Sequence, residues 1–150
     1  MDLIVGLLPN GDLDSILTLV DHGCSQAALF LPCTATIMGP KIAQLYLDHI
    51  YWWFSLLRKM ISDRDPRFTS HFARALATKL GVQQNLSTAF HPQTDRLSER
   101  KNQWVEQYLR LLTAGQQNDW SQWLSVATAV HNNRTNETLG ITPNEALFGF

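Results

Sequence analysis

Two carboxylates, Asp63 and Glu99, stand with 35 residues between them in settings that suit phosphoryl transfer assisted by a hard cation. Asp63 follows the apolar pair Met60-Ile61 and precedes Arg64-Asp65-Pro66, where a strand gives way to a turn. Glu99 lies four residues after Asp95 and seven after Pro92, at the start of a long helical pattern. A carboxylate at a strand end and another on a helix packed over it can converge on Mg²⁺, which takes oxygen ligands and is commonly held by one or two protein carboxylates. Each has a plainer reading. Acids at turns usually cap or are solvated, as Asp65 before Pro66 would be, and Glu99 alone would be an exposed helix glutamate beside Asn102 and Gln103. The strand-end position favours Asp63, because ligand sites in α/β folds gather at the carboxyl edge of the sheet. A metal site also draws its ligands from separate elements, as these two would be.

The elements that must position them are legible in outline. Residues 2–7 form a short apolar run closed by Pro9-Asn10-Gly11, Ser15 to Val20 a second strand, and Gln26 to Leu31 a third, stopped by Pro32. Short turns between them predict an antiparallel meander. Pro40 opens a helix whose apolar positions are Ile42, Leu45, Tyr46, His49, Ile50 and Trp53. Leu56 to Ile61 reads as a buried strand leading into Asp63, and the β-α-β order predicts a parallel pairing with a right-handed crossover. Thr69 or Ser70 is placed to cap a helix over Phe72, Ala75, Leu76 and Leu80, with Gly81 just past its end. Val82 to Thr88 is an edge-like strand. The loop Phe90-His91-Pro92-Gln93-Thr94-Asp95 precedes the helix carrying Glu99, Gln103, Glu106 and Arg110 on one side and Val105, Tyr108, Leu109 and Leu112 on the other. Asp119 is an N-cap for an amphipathic helix from Trp120 to His131, and Thr142-Pro143-Asn144-Glu145 has the pattern of a capping box with Pro at the first helical position. The order predicts one α/β domain with a mixed sheet.

Composition narrows the function. At 150 residues and 45% hydrophobic content the chain can bury a core without disulfides or a structural metal. Cys24 and Cys33 form no C-x-x-C pair, which excludes a zinc module and predicts two buried thiols in a reducing compartment. The N-terminal run is short and carries an acid instead of a basic segment, and Ile42 to Leu57 is broken by Asp48 and His49, so neither a signal peptide nor a membrane span is expected. The net charge of -1 conceals an asymmetry: ten Lys/Arg against five Asp/Glu between Arg58 and Arg110 give +5, and two against eight elsewhere give -6. That distribution suits a phosphate-tracking face beside an acidic pocket, and equally a solvated helix surface.

Two segments, Ile61-Ser62-Asp63-Arg64-Asp65-Pro66-Arg67-Phe68-Thr69-Ser70 and Ser87 through His91-Pro92-Gln93-Thr94-Asp95 to Ser98-Glu99-Arg100, resemble the integrase catalytic core of gypsy-type LTR retrotransposons, relatives of retroviral integrases. Met1-Asp2-Leu3-Ile4 resembles the family's first catalytic strand, Leu19-Val20-Asp21 and Phe30-Leu31-Pro32-Cys33 the next two, and Asn132-Asn133 with Thr142-Pro143-Asn144-Glu145-Ala146 the closing helices. The resemblance implies an RNase H-like fold, a five-stranded mixed sheet flanked by helices, and a catalytic and metal-binding set of Asp2, Asp63 and Glu99. Asp21, which also ends an apolar strand, is the alternative first acid. The resemblance further implies two Mg²⁺ or Mn²⁺ ions and in-line attack on DNA phosphodiesters, by water to trim the element's 3′ end and then by that 3′ hydroxyl on target DNA. His91, Gln93, Arg96, Arg100 and Lys101 are the implied DNA contacts, although a Pro-loop histidine is often structural and the basic residues suit a solvated helix. Element and target DNA are the implied partners, with a homodimer or higher oligomer formed through an exposed Trp104 or Trp52, a nuclear location and no membrane.

The chain departs from the family at Arg96, where Gly is common, and at Ser55-Leu56-Leu57, where a Gly-Leu-Pro turn is common. Residues 1–150 read as a catalytic core clipped at its N-terminal edge, without the zinc-binding N-terminal and basic C-terminal domains. An active polynucleotidyl transferase stands against a domesticated or decayed module kept for nucleic-acid binding or oligomerisation. An RNase H-type nuclease would share fold and metals but not the His91-to-Glu99 signature.

Overall fold

The structure, a computed structural model, describes residues 1–54, 59–61, 67–81, 87–89, 92–113 and 118–149. Asp63, His91 and the 55–57 turn lie outside the described residues, as does the side chain of Gln93. The chain divides into two compact units, one of Asp2–Ala35 with Arg96–Phe150 and one of Met1 with Thr36–Asp95.

The first unit holds the predicted meander: β1 (Asp2–Ile4), β2 (Ser15–Val20) and β3 (Ala28–Cys33) pair antiparallel in that order. β1 is shorter than the 2–7 run because Gly6 adopts φ +79°, a left-handed conformation that ends an extended strand. Asp2 lies opposite Thr18 and Thr18 opposite Phe30, so these three share one face of the sheet, as do Ile4 and Ile16 one pleat along. The same face carries the core, in which Ile4, Ile16, Ala28 and Phe30 meet Val105 and Leu109 of α4 (Pro92–Leu112), Trp120, and Leu124 and Ala127 of α5 (Leu124–Asn133).

Pro32 does not stop β3; it sits inside it. The reason is the free edge of the strand. Ala28 N–H donates to Asn132 Oδ1 (2.9 Å) and Phe30 N–H to Thr128 Oγ1 (3.3 Å), so the donors at 28 and 30 point away from β2. Position 32 is the next outward one, and proline has no donor to satisfy there. Asn132 Nδ2 also donates to the Ala28 carbonyl (2.9 Å), so one turn of α5 covers an edge that would otherwise template another strand.

Along α4 the buried positions are Ser98, Lys101, Val105 and Leu109, a stripe at helical spacing. Leu112, expected in the core, is instead exposed, and Tyr108 is half-buried. Asp119 precedes a 3-10 turn, Trp120–Trp123, and accepts from the side chains of Gln122 (2.8 Å) and Trp123 (3.3 Å) instead of capping backbone donors. Trp120 is buried with its indole N–H on the Leu8 carbonyl (2.7 Å). The expected capping box opens α6 (Pro143–Phe148): Glu145 N–H donates to Thr142 Oγ1 (3.0 Å) and Thr142 N–H to Glu145 Oε2 (2.6 Å).

The second unit contains α1 (Gly39–His49), α2 (Tyr51–Phe54), β4 (Lys59–Ile61), α3 (Phe72–Leu80) and β5 (Ser87–Ala89). Pro40 starts α1, whose Ile42, Ala43 and Tyr46 are buried, Tyr46 edge-on to Phe72 at 5.9 Å. Neither Thr69 nor Ser70 caps α3. A π-helical turn, Arg67–His71, runs straight into it, leaving His71 already helical at φ -71°, ψ -43°. Gly39 is required beneath that turn: a Cβ there would meet His71 Cβ at 2.6 Å and the His71 carbonyl carbon at 2.7 Å. Gly81 closes α3 in the left-handed conformation at φ +64°, as expected. β4 and β5 pair in parallel, with α3 in the connection between them. The described residues thus show an α/β chain with a three-stranded antiparallel sheet and a two-stranded parallel pair; the expected single five-stranded sheet goes beyond them. Among the described residues no helix is long and apolar enough to cross a membrane.

Candidate metal and nucleic-acid site

Asp2 is half-buried at the start of β1, and each of its carboxylate oxygens has a donor. Leu3 N–H donates to Oδ1 (2.8 Å), and the Asn102 amide donates from Nδ2 to Oδ2 (2.6 Å) across 100 residues of sequence. Asn102 follows Glu99 by three positions on α4, so the two lie one turn apart on the same side of the helix. The bond therefore brings the β1 acid to the stretch of helix that carries Glu99. Glu99 itself is exposed and makes no hydrogen bond or ion pair among the described residues. One residue earlier, buried Ser98 places Oγ 3.5 Å from His22 Nε2, fastening the β2–β3 turn to the same part of α4. Sequence reasoning overlooked both tethers. The three-residue offset from Glu99 could have flagged Asn102, whereas nothing local distinguishes His22.

Asp21 is built differently. Its carboxylate accepts from Gly23 N–H (2.8 Å), Ser25 N–H (3.0 Å) and Ser25 Oγ (2.6 Å), with Cys24 N–H at 3.5 Å, all within its own turn. Burial pushes this carboxyl up, but the hydrogen bonds from Ser25, Gly23 and Cys24 together outweigh it and hold it below the usual range. Asp21 organises the β2–β3 turn. Cys24 in that turn is exposed instead of buried, its Sγ 3.7 Å from the Asp21 carboxylate, while Cys33 is buried as expected.

The three basic candidates separate. Arg96 and Arg100, four apart, are exposed on α4. Lys101 departs from the expected phosphate-facing role: it is 9% exposed on the inward stripe, and burial lowers its pKa. Behind it, buried His131 is pushed down to about 4 by burial first and then by the charges of Lys101 and Arg134. Its ring packs against Trp104 (4.9 Å) and Phe30 (6.1 Å), and Trp104 stacks on Tyr108 (5.0 Å). Trp104 is thus half-buried in a ring cluster, and Trp52, 82% exposed on α2, is the free indole face.

Oxygen-only donors with spare lone pairs, one on a strand and one on a helix, suit a hard divalent cation. Among the described residues no three His, Cys, Asp or Glu side chains form a metal cluster, and the third expected ligand, Asp63, lies outside them.

Comparison with known proteins agrees with this architecture. The catalytic core domain of BIV integrase superposes with a TM-score of 0.67 at 20% identity, covering 99% of this chain and 93% of that one. The HTLV-2 integrase catalytic core, solved in complex with magnesium in a trimeric form, gives 0.66 at 18% identity, covering 95% and 99%. The fold is that of a retroviral integrase catalytic core, of the RNase H-like class. In sequence, the Tf2-3 and Tf2-4 transposon polyproteins of Schizosaccharomyces pombe are each 30% identical over 147 residues, 98% of this chain. In sequence and in fold the chain is thus similar to retrotransposon polyproteins and to retroviral integrase catalytic cores, in keeping with the resemblance of its motifs to the gypsy-type integrase core. It spans 11% of the length of those polyproteins. No family model matches it.

Proposed function

We propose that the chain is the catalytic core of a metal-dependent polynucleotidyl transferase that trims the 3′ ends of element DNA and joins them to target DNA. The observation that carries this reading is the bond from Asn102 to Asp2, which holds the strand acid at the helix of Glu99. Asp2, Asp63 and Glu99 are the proposed ligands, Asp63 joining on the strength of the 35-residue spacing and its family-like surroundings. When bound, a pair of Mg²⁺ ions supplies Lewis-acid activation of the attacking oxygen and stabilisation of the leaving one. Asp2 and Glu99 present the oxygens, and the Asn102–Asp2 bond joins β1 to the helix that carries Glu99. Arg96 and Arg100 offer exposed cations for phosphate contact, with His91 and Gln93 ahead of them in sequence; Lys101 stays inside the unit. Binding carried mainly by phosphate contacts from the basic 58–110 region is weak, tolerant of sequence and steeply dependent on salt, since each phosphate neutralised adds to the salt slope.

The HTLV-2 relative was solved as a trimer with magnesium, and the 82% exposed Trp52 supports self-association here too. A nuclear location follows from the proposed reaction on chromosomal DNA. The test is Mg²⁺- or Mn²⁺-dependent nicking or disintegration of a branched DNA substrate, comparing wild type with Glu99→Gln and Asp63→Asn. Activity in the wild type that both variants lose is expected. A wild type no better than either variant would leave the non-catalytic nucleic-acid-binding module as the function.

A further inference from the structure

Asn102 sits beside the proposed metal site but carries no charge and is not a ligand in the set above. Its amide is ordered in an asymmetric way. Nδ2 donates to Asp2 Oδ2 at 2.6 Å, while Oδ1 is buried with no hydrogen-bond partner among the described residues. An ionised carboxylate only accepts, so a flipped amide would set oxygen against oxygen, and only one orientation is favourable. The other Asp2 oxygen is held by the backbone N–H of Leu3 at 2.8 Å. Two donors from different elements thus define the plane of the Asp2 carboxylate and still leave lone pairs on both oxygens.

We propose that Asn102 is a positioning residue that fixes the Asp2 carboxylate at a set distance from Glu99 and so preorganises the metal site. This rests on the metal-dependent reading above. The residue type matters. A neutral donor orders the acid without cancelling the charge that attracts a cation, whereas Lys would repel the cation and Asp would repel Asp2. Placing the donor three residues from Glu99 on one helix gives both carboxylates a common rigid reference, so β1 cannot shift its acid relative to the helix without breaking the bond. The unpaired buried Oδ1 is tolerated because the amide's other end anchors an ionised partner, and hydrogen bonds to charged groups are the stronger kind.

The experiment is Mn²⁺ titration by calorimetry, together with melting curves in EDTA and in Mn²⁺, for wild type, Asn102→Leu, Asn102→Gln and Gln103→Ala. Removal of an outer-shell partner weakens metal binding by roughly ten- to a hundredfold, and that loss is expected for Asn102→Leu. Asn102→Gln, which keeps a donor amide, should recover most of it, and Gln103→Ala on the exposed side should bind as wild type does. The EDTA melting curve of Asn102→Leu should stay near that of the wild type while its Mn²⁺-induced rise shrinks, a split that a merely structural contact would not produce. Wild-type binding that Asn102→Leu leaves intact, or a loss confined to the EDTA melt, overturns the positioning role alone. A wild type with no Mn²⁺ binding above Glu99→Gln overturns the metal reading and this inference with it.

Discussion

Asp2 and Asp21 both sit at strand ends in one unit, both are half-buried and both accept hydrogen bonds, yet they are built for different work. Among the described residues every donor to Asp21 comes from the next four residues, and its oxygens are crowded by Gly23, Cys24 and Ser25. Asp2 has one local donor and one that arrives from 100 residues away on the helix of Glu99. A carboxylate saturated by its own turn stabilises that turn and has little left to offer a ligand. A carboxylate held by a distant amide, beside a second acid, is ordered while remaining able to coordinate.

The largest expected effect falls on Asp2. Asp2→Asn should lower metal-dependent nicking by roughly a hundred- to thousandfold, the scale of losing one preorganised electrostatic group, with the fold intact by circular dichroism. Asp21→Ala should do the reverse. It strips several backbone and hydroxyl donors of a charged acceptor, so urea unfolding should show a loss of about 2 kcal/mol while Mn²⁺ affinity stays at the wild-type value. A swap of these outcomes would mean that Asp21 is the first acid after all.

Acid titration separates a further pair. His131 is buried in its neutral form, so between its ordinary pKa of 6.5 and its folded value of about 4 the unfolded chain binds a proton that the folded chain refuses. Stability should therefore fall as pH drops through that window, by about 2 kcal/mol once solvent screening is allowed for. His131→Phe should flatten the curve there. Asp21 acts lower: its depressed pKa gives stability that is fully present above the ordinary 3.8 and is lost as pH falls below it, so Asp21→Ala should flatten only that acid limb. Denaturant midpoints measured every half pH unit resolve the two. The smallest effect belongs to Thr142→Ala, which opens the local capping box of α6 and should cost about 1 kcal/mol in urea unfolding without touching DNA or metal binding.

Features made of neighbouring residues were readable in the chain. The capping box at Thr142, the left-handed Gly81, the strand Ser15–Val20 and the helical stripe through Val105 and Leu109 are local, and their side-chain types carry the signal. Pro32 and Thr69 show where that reasoning fails. Proline stops a strand only if its position needs a donor, and whether it does depends on α5 lying along the edge of β3. A threonine caps a helix only if the chain turns there, and a π-helical turn carries it past Thr69. Cys24 was misjudged for the same reason, since residue type alone does not report which side of a turn faces solvent.

The sequence by itself determined the order of elements, the pair of spaced acids and the family resemblance, because these depend on residue type and on position along the chain. Only the tertiary structure decided that Asp2 and not Asp21 is tied to the helix of Glu99, that Lys101 is turned inward while Arg96 and Arg100 are exposed, and that Asn102 is the residue making the tie. Those facts arise where segments about a hundred residues apart come to share one buried face, and the pairing of a donor with an acceptor at that distance leaves no local pattern in the chain.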